Sequence, residues 1–224
     1  MSVDWEQYLK EVMPDVSGCP VQLALNAVRN AAIEFANQTR VWRDDVEQVV
    51  MVAGQAVYPL VTQNVDDEEI IALHKVQFTD QTYPLSTISA LHLDNARLST
   101  TEQKPRWFNQ PTPAQIEMFY TPDAASGTLN CKAILKPTKT STFGPDFMFN
   151  DWLEEISAGA KARLLAMKRP WGDKSMVKFH RRLFINGYIE ARIRDAKSNV
   201  MSSSAVRPQP FGIYRGSRTS GWRY

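Results

Sequence analysis

Few side chains in this sequence are spaced to do chemistry together. His74, His92 and His180 stand far apart, and none has a close histidine or cysteine companion of the kind that a zinc site uses. A metal centre would need distant residues to converge, so surface or core-edge positions account for them more simply. Cys19 precedes Pro20 at the start of a helical pattern, where a helix dipole could lower its pKa. A small buried thiol is the commoner fate. The run Asp66, Asp67, Glu68 and Glu69 could hold a cation or move protons, but without a bracketing histidine or glycine it reads as a solvated loop. Trp42, with Arg40 and Arg43 nearby, could stack on a nucleobase; an anchor between helices and strands explains it better. No GxxxxGK[ST], GxGxxG or HExxH motif occurs. The expectation is a protein with no catalytic residues, no cofactor and no metal.

The elements that position these residues belong to an ordinary globular chain. It has 224 residues, 43% hydrophobic and 22% charged, enough for one large domain or two small ones. The uncharged run from Gln48 to Val65 is broken by Gly54, Gln55, Pro59 and Asn64, so no membrane span is expected. The opening MSVDWEQYLKEV carries acids where a signal peptide needs bases, and two cysteines make no disulfide framework. A soluble intracellular protein is expected.

Charge is distributed unevenly. Residues 161–224 hold 15 Lys/Arg against 3 acids, a net of +12, while residues 1–160 hold 11 bases and 21 acids, a net of −10. Such a dipolar chain suits nucleic-acid binding, docking on an acidic protein, or head-to-tail pairing with copies of itself. The plainer reading makes the bases of 161–195 the wet face of helices.

Along the chain, residues 2–13 read as a short amphipathic helix stopped by Pro14. A longer helix follows from Pro20, with Val21, Ala24, Leu25, Val28, Ala31, Ala32 and Phe35 as its apolar stripe. VEQVVMV (46–52) and AVYPL (56–60) read as two strands around a Gly54-Gln55 turn, with Pro59 confining the second to an edge. IIALHKVQF (70–78), IEMFY (116–120) and LNCKAIL (129–135) are further strands, the last two joined by a turn at 121–127. Thr87–Leu98 reads as a short helix and Pro105–Pro113 as loop. Helix returns over 150–168, with Trp152, Leu153, Ile156, Ala160, Leu164 and Met167 on one side. After Pro170-Trp171-Gly172, Asp173 caps a helix over 174–198 that should run antiparallel to it. Its buried face is expected to be Met176, Phe179, Leu183, Phe184, Gly187, Tyr188 and Ala191.

From Ser202 no period remains, yet Phe211, Tyr214, Trp222 and Tyr224 are interleaved with Arg207, Arg215, Arg218 and Arg223. Aromatic and arginine side chains are the usual anchors of protein interfaces. The expected fold is therefore α+β: a mainly helical bundle with an inserted β-rich module and an extended C-terminal arm. The expected divisions are 1–45 and 141–200 for the bundle, 46–140 for the module and 201–224 for the arm.

Four stretches together carry a family resemblance: ALNAVRNAAIEFANQTRVWRDDV (24–46), VVMVAGQAVYPL (49–60), WLEEISAGAKARLLAMKRPWGD (152–173) and VRPQPFG (206–212). In pattern and order the chain resembles the head-to-tail adaptor proteins of short-tailed bacteriophages. The helix ending in TRVWR, followed by a VAGQxxYxL segment, is the most telling part. The resemblance implies a structural virion protein at the neck between head and tail, present in the host cytoplasm before assembly. It implies a ring, typically of twelve copies, beneath the portal that extends the DNA channel and offers a platform to the tail. The implied partners are the chain itself, the portal protein, a tail nozzle or tail tube protein, and transient contact with channel DNA. The portal-binding role would fall on Arg207, Pro208, Pro210, Phe211 and Tyr214; Arg215 and Trp222 join them as basic and aromatic anchors of the same arm. The alternative expectation is a basic nucleic-acid-binding module using residues 161–224, whose affinity would fall steeply with salt.

Overall fold

The computed structural model describes residues 2–88, 104–123 and 127–198. Strand β1 (Ser2–Asp4) leads into a helical turn at Trp5–Tyr8, a short helix α1 (Leu9–Val12) and a further turn at Met13–Val16. Helix α2 spans Val21–Thr39, α3 spans Asp146–Leu165 and α4 spans Lys174–Ser198. Between α2 and α3 lie β2 (Arg43–Asp45), β3 (Val49–Val50), β4 (Val57–Pro59), β5 (Glu68–Phe78), β6 (Ser86–Thr87), β7 (Trp107–Thr112), β8 (Gln115–Met118), β9 (Thr128–Pro137) and β10 (Phe143–Pro145).

The expectation of a mainly helical bundle is corrected. The described residues form three sheets: β1 with β10, a second centred on β9, and a third in the order β4-β8-β7-β6. Strand β9 pairs with β5 along one edge and with both β2 and β3 along the other, all antiparallel. Most of the additional strands are two to four residues long, too short to show a period of two in sequence. Strand β7 was hidden by prolines: Pro105–Pro113 reads as loop, but Trp107–Thr112 pairs with β6 and β8. Its register slips between Asn109 and Thr112, around Pro111, which has no amide hydrogen to give.

The 46–60 segment is also rearranged. Strands β3 and β4 do not pair with each other; β3 joins β9 and β4 joins β8, so the turn between them bridges two sheets. Pro59 does sit on an edge strand. The chain between β8 and β9 likewise crosses from one sheet to another rather than closing a hairpin. Residues 89–98 of the expected Thr87–Leu98 helix lie outside the described residues, and Thr87 itself is in β6.

The three long helices are close to expectation, but the expected helix over 2–13 is instead a strand at Ser2–Asp4 followed by helical turns that run on through Pro14 to Val16. Ala24, Leu25, Val28, Ala31, Ala32 and Phe35 of α2 are buried, while Val21 is exposed. Helix α3 starts four residues before the expected 150, and its backbone leaves helical geometry at Trp152 (φ −135°, ψ 24°). Ile156 to Ala160 are buried without a break. Only small residues permit that, because α3 is sandwiched between α2 and α4. A Cβ on Gly159 would come within 2.8 Å of the Phe184 ring and 3.1 Å of the Ala31 Cβ. Helices α3 and α4 run antiparallel as expected: Gly159 meets Phe184, Glu155 meets Gly187, and Asp151 pairs with Arg194. Asp173 accepts the Ser175 amide at 2.9 Å and caps α4. One hydrophobic core runs from Trp5 and Tyr8 through Phe35, Trp42 and Phe78 to Ile156 and Phe184, joining helices and sheets.

Candidate assembly surfaces

The residues singled out for chemistry turn out to hold the fold together. Burial pushes the Cys131 thiol up to about 12 and raises Cys19 as well, so neither is a thiolate near neutral pH. His180 is buried against Phe179 and titrates below the ordinary histidine range, chiefly through desolvation and then through Lys161. His74 is lowered by burial and by Arg43. His92 lies outside the described residues. Among the described residues, no group of three or more His, Cys, Asp or Glu converges as a metal site.

Trp42 is the anchor its setting suggested. Arg40 ends α2 in the left-handed conformation (φ 56°), with its amide donating to the Ala36 carbonyl at 2.9 Å. The chain then turns toward β2, and just before it the carbonyl of the buried Trp42 accepts the Leu135 amide at 2.9 Å. The Arg43 Nη2 reaches Asp195 on α4 at 2.6 Å, tying β2 to the far end of that helix. The VAGQAVY segment is equally structural. Gly54 takes a left-handed φ of 79°. The Tyr58 hydroxyl lies 3.0 Å from the Val52 carbonyl and 2.7 Å from that of Gln55, and it accepts the Val52 amide at 3.1 Å. A single buried phenol thus staples the turn.

The acid run is divided among structural tasks. Asp67 Oδ1 accepts the Thr142 amide at 2.7 Å, and Glu69 pairs with Lys136 at 3.1 Å. Glu68 accepts from Asn64 at 3.3 Å. Strand pairing adds a neighbour that sequence distance concealed: Asp44 of β2 joins Asp67 and Glu68 around a cleft of about 500 Å³ that contains no Lys or Arg. Desolvation raises the Glu68 pKa most, and the Asp44 and Asp67 charges raise it further. Phe143, exposed and apolar, lines the same cleft.

The basic half is partly neutralised from within. Lys161 pairs with Asp15 at 2.6 Å, Arg163 with Glu34, and Arg194 with Asp151 at 3.2 Å, each base meeting an acid from the first 160 residues. Lys168, Arg169, Lys174, Lys178, Arg181, Arg182, Arg192 and Lys197 are exposed and have no ion-pair partner among the described residues. The same helix carries an exposed apolar surface where the apolar pattern predicts core. Phe184, Gly187 and Ala191 are buried as expected and Tyr188 is partly so, but Met176 (42% exposed), Phe179 (54%) and Leu183 (42%) face outward. Apolar residues cover about half the circumference of α4, more than α2 and α3 can bury. The width of that arc is the signal that could have found this surface.

Arg207, Pro208, Pro210, Phe211, Tyr214, Arg215 and Trp222 lie outside the described residues. No protein-family model matches the chain, and no curated protein matches it. No helix among the described residues is long and apolar enough to cross a membrane.

Proposed function

We propose that this chain is a structural virion protein, a head-to-tail adaptor that forms a ring, of twelve copies by resemblance, beneath the portal and extends the DNA channel toward the tail. The observation that carries the proposal is the run from TRVWR to VAGQAVY. In sequence it is the most telling part of the resemblance; in the fold it joins α2 to two sheets through Trp42, Arg43 and Tyr58. A motif that fixes how the layers meet is the kind a shared architecture would retain. The outward face of α4 and the acidic cleft add support, since a ring subunit must present unlike faces to its neighbours. Residues 201–224 reach the portal in this account, with Arg207, Phe211, Tyr214 and Trp222 as anchors.

Truncation at Ser202 tests the arm. The shortened chain keeps the thermal transition of the full chain but no longer docks on isolated portal rings; normal docking would refute the arm's role.

A second reading, nucleic-acid binding, draws on the unpaired bases of α4. Contact with phosphate requires no Met176, Phe179 and Leu183 among those bases, and this apolar patch favours a protein partner. Titration with duplex DNA at two salt concentrations separates the two, because steeply salt-dependent tight binding would favour nucleic acid.

A further inference from the structure

We infer that the outward face of α4, centred on Met176, Phe179 and Leu183 and edged by Arg182, docks into the acidic cleft of a second copy of this chain. The inference rests on the ring reading above and deepens it by naming the two surfaces that meet.

The α4 patch has the composition of an interface, apolar at its centre with a base at its edge, and the cleft offers acids with an apolar neighbour. On α4, Met176, Phe179 and Leu183 recur at i, i+3 and i+7 and form one stripe. Arg182, one turn on from Phe179, stands beside it, exposed and without an ion-pair partner among the described residues. On the other surface, Asp44, Asp67 and Glu68 crowd a cleft that contains no base and that the exposed Phe143 also lines. Like charges held this close gain from an incoming cation, and Arg182 is a cation carried beside an apolar stripe. The patches are complementary in sign, and each carries exposed apolar surface: Met176, Phe179 and Leu183 on one, Phe143 on the other.

They cannot meet within one subunit. Phe184 of α4 packs beside Gly159, whereas the cleft includes Pro145 at the start of α3. Fourteen residues of helix separate these points, about 20 Å at 1.5 Å per residue. Met176 and Phe179 lie beyond Phe184 at the far end. A patch at one end of the helix pair and its complement at the other produce a head-to-tail contact, in which each copy uses one surface and offers the other. Repeated around an axis, such a contact closes a ring.

Cysteine cross-linking of the full chain tests this directly, because the native Cys19 and Cys131 are buried. Arg182→Cys and Gln63→Cys, the latter on an exposed residue at the cleft mouth, are made singly and together and treated with a mild oxidant at high protein concentration. The double variant should give a ladder of dimers, trimers and larger species, and each single variant should give none. Dimers from Arg182→Cys alone would mean that α4 meets α4, and no ladder from the double variant would mean that something else covers this face; either result overturns the inference. An internal disulfide is ruled out by the separation. Charge reversal is the second arm. Arg182→Glu and Asp44→Lys should each weaken self-association about tenfold, and the combined variant should recover most of it. Additive loss in the combined variant would also overturn the inference. Normal capture by portal rings alongside a failed ladder would remove this interface and leave the adaptor reading standing.

Discussion

Replacing Tyr58 with phenylalanine tests the reading of the VAGQAVY segment as a staple rather than a contact site. The ring is 3% exposed, so its packing is retained and only the hydroxyl is lost. That hydroxyl accepts the Val52 amide at 3.1 Å and lies within hydrogen-bond reach of the Val52 and Gln55 carbonyls. A buried group left without a partner costs about 1–3 kcal/mol. Val52 is 53% exposed, so water can reach part of the opened turn, which places the loss in the lower half of that range, about 1–2 kcal/mol. For a chain of this size each kcal/mol lowers the melting temperature by about 2–4 °C, giving a drop of about 2–8 °C. Differential scanning calorimetry measures the drop, and amide exchange at Val52 reports whether the turn opens locally. A melting temperature within about 1 °C of the parent, with exchange at Val52 unchanged, would refute the staple.

Gly159→Leu places a branched side chain where even a Cβ lies 2.8 Å from Phe184, so α3 and α4 must separate. The expected cost is about 1–3 kcal/mol or more, read as a lower urea midpoint, with partial recovery in a Gly159→Leu, Phe184→Ala double variant. Self-association should depend on pH through the cleft. The Glu68 pKa is raised in the free subunit, so its carboxylate protonates early as pH falls and the attraction for Arg182 weakens. Sedimentation velocity should show association present near neutral pH and lost as pH drops through the carboxylate range; association strengthening in acid would contradict this. Rising salt should weaken it too, because the rim charges are exposed.

The helices were largely legible because their apolar residues recur at the helical period over many turns. Strands β5 and β9, eleven and ten residues long, were legible because an apolar run of that length shows as strand. The remaining sheet structure was not. Val49–Val50 and Ser86–Thr87 are strands only because a neighbour offers them an edge, and Pro111 disguised β7. The surfaces were legible in part. The acid run could be seen, but its crowding by Asp44 depends on β2 and β5 flanking the same strand. For α4, the sequence marks Met176, Phe179 and Leu183 as apolar but cannot say which apolar residues a limited core will cover. Three helices share that core, and α4 lies on its outside.

The account's central claim is that this chain works as one of many copies stacked on a portal. Negative-stain electron microscopy of the full chain mixed with purified portal rings tests it most directly. A second ring coaxial with the portal, absent from portal alone, is the expected image. Portal rings that remain bare at saturating chain concentration would contradict the account.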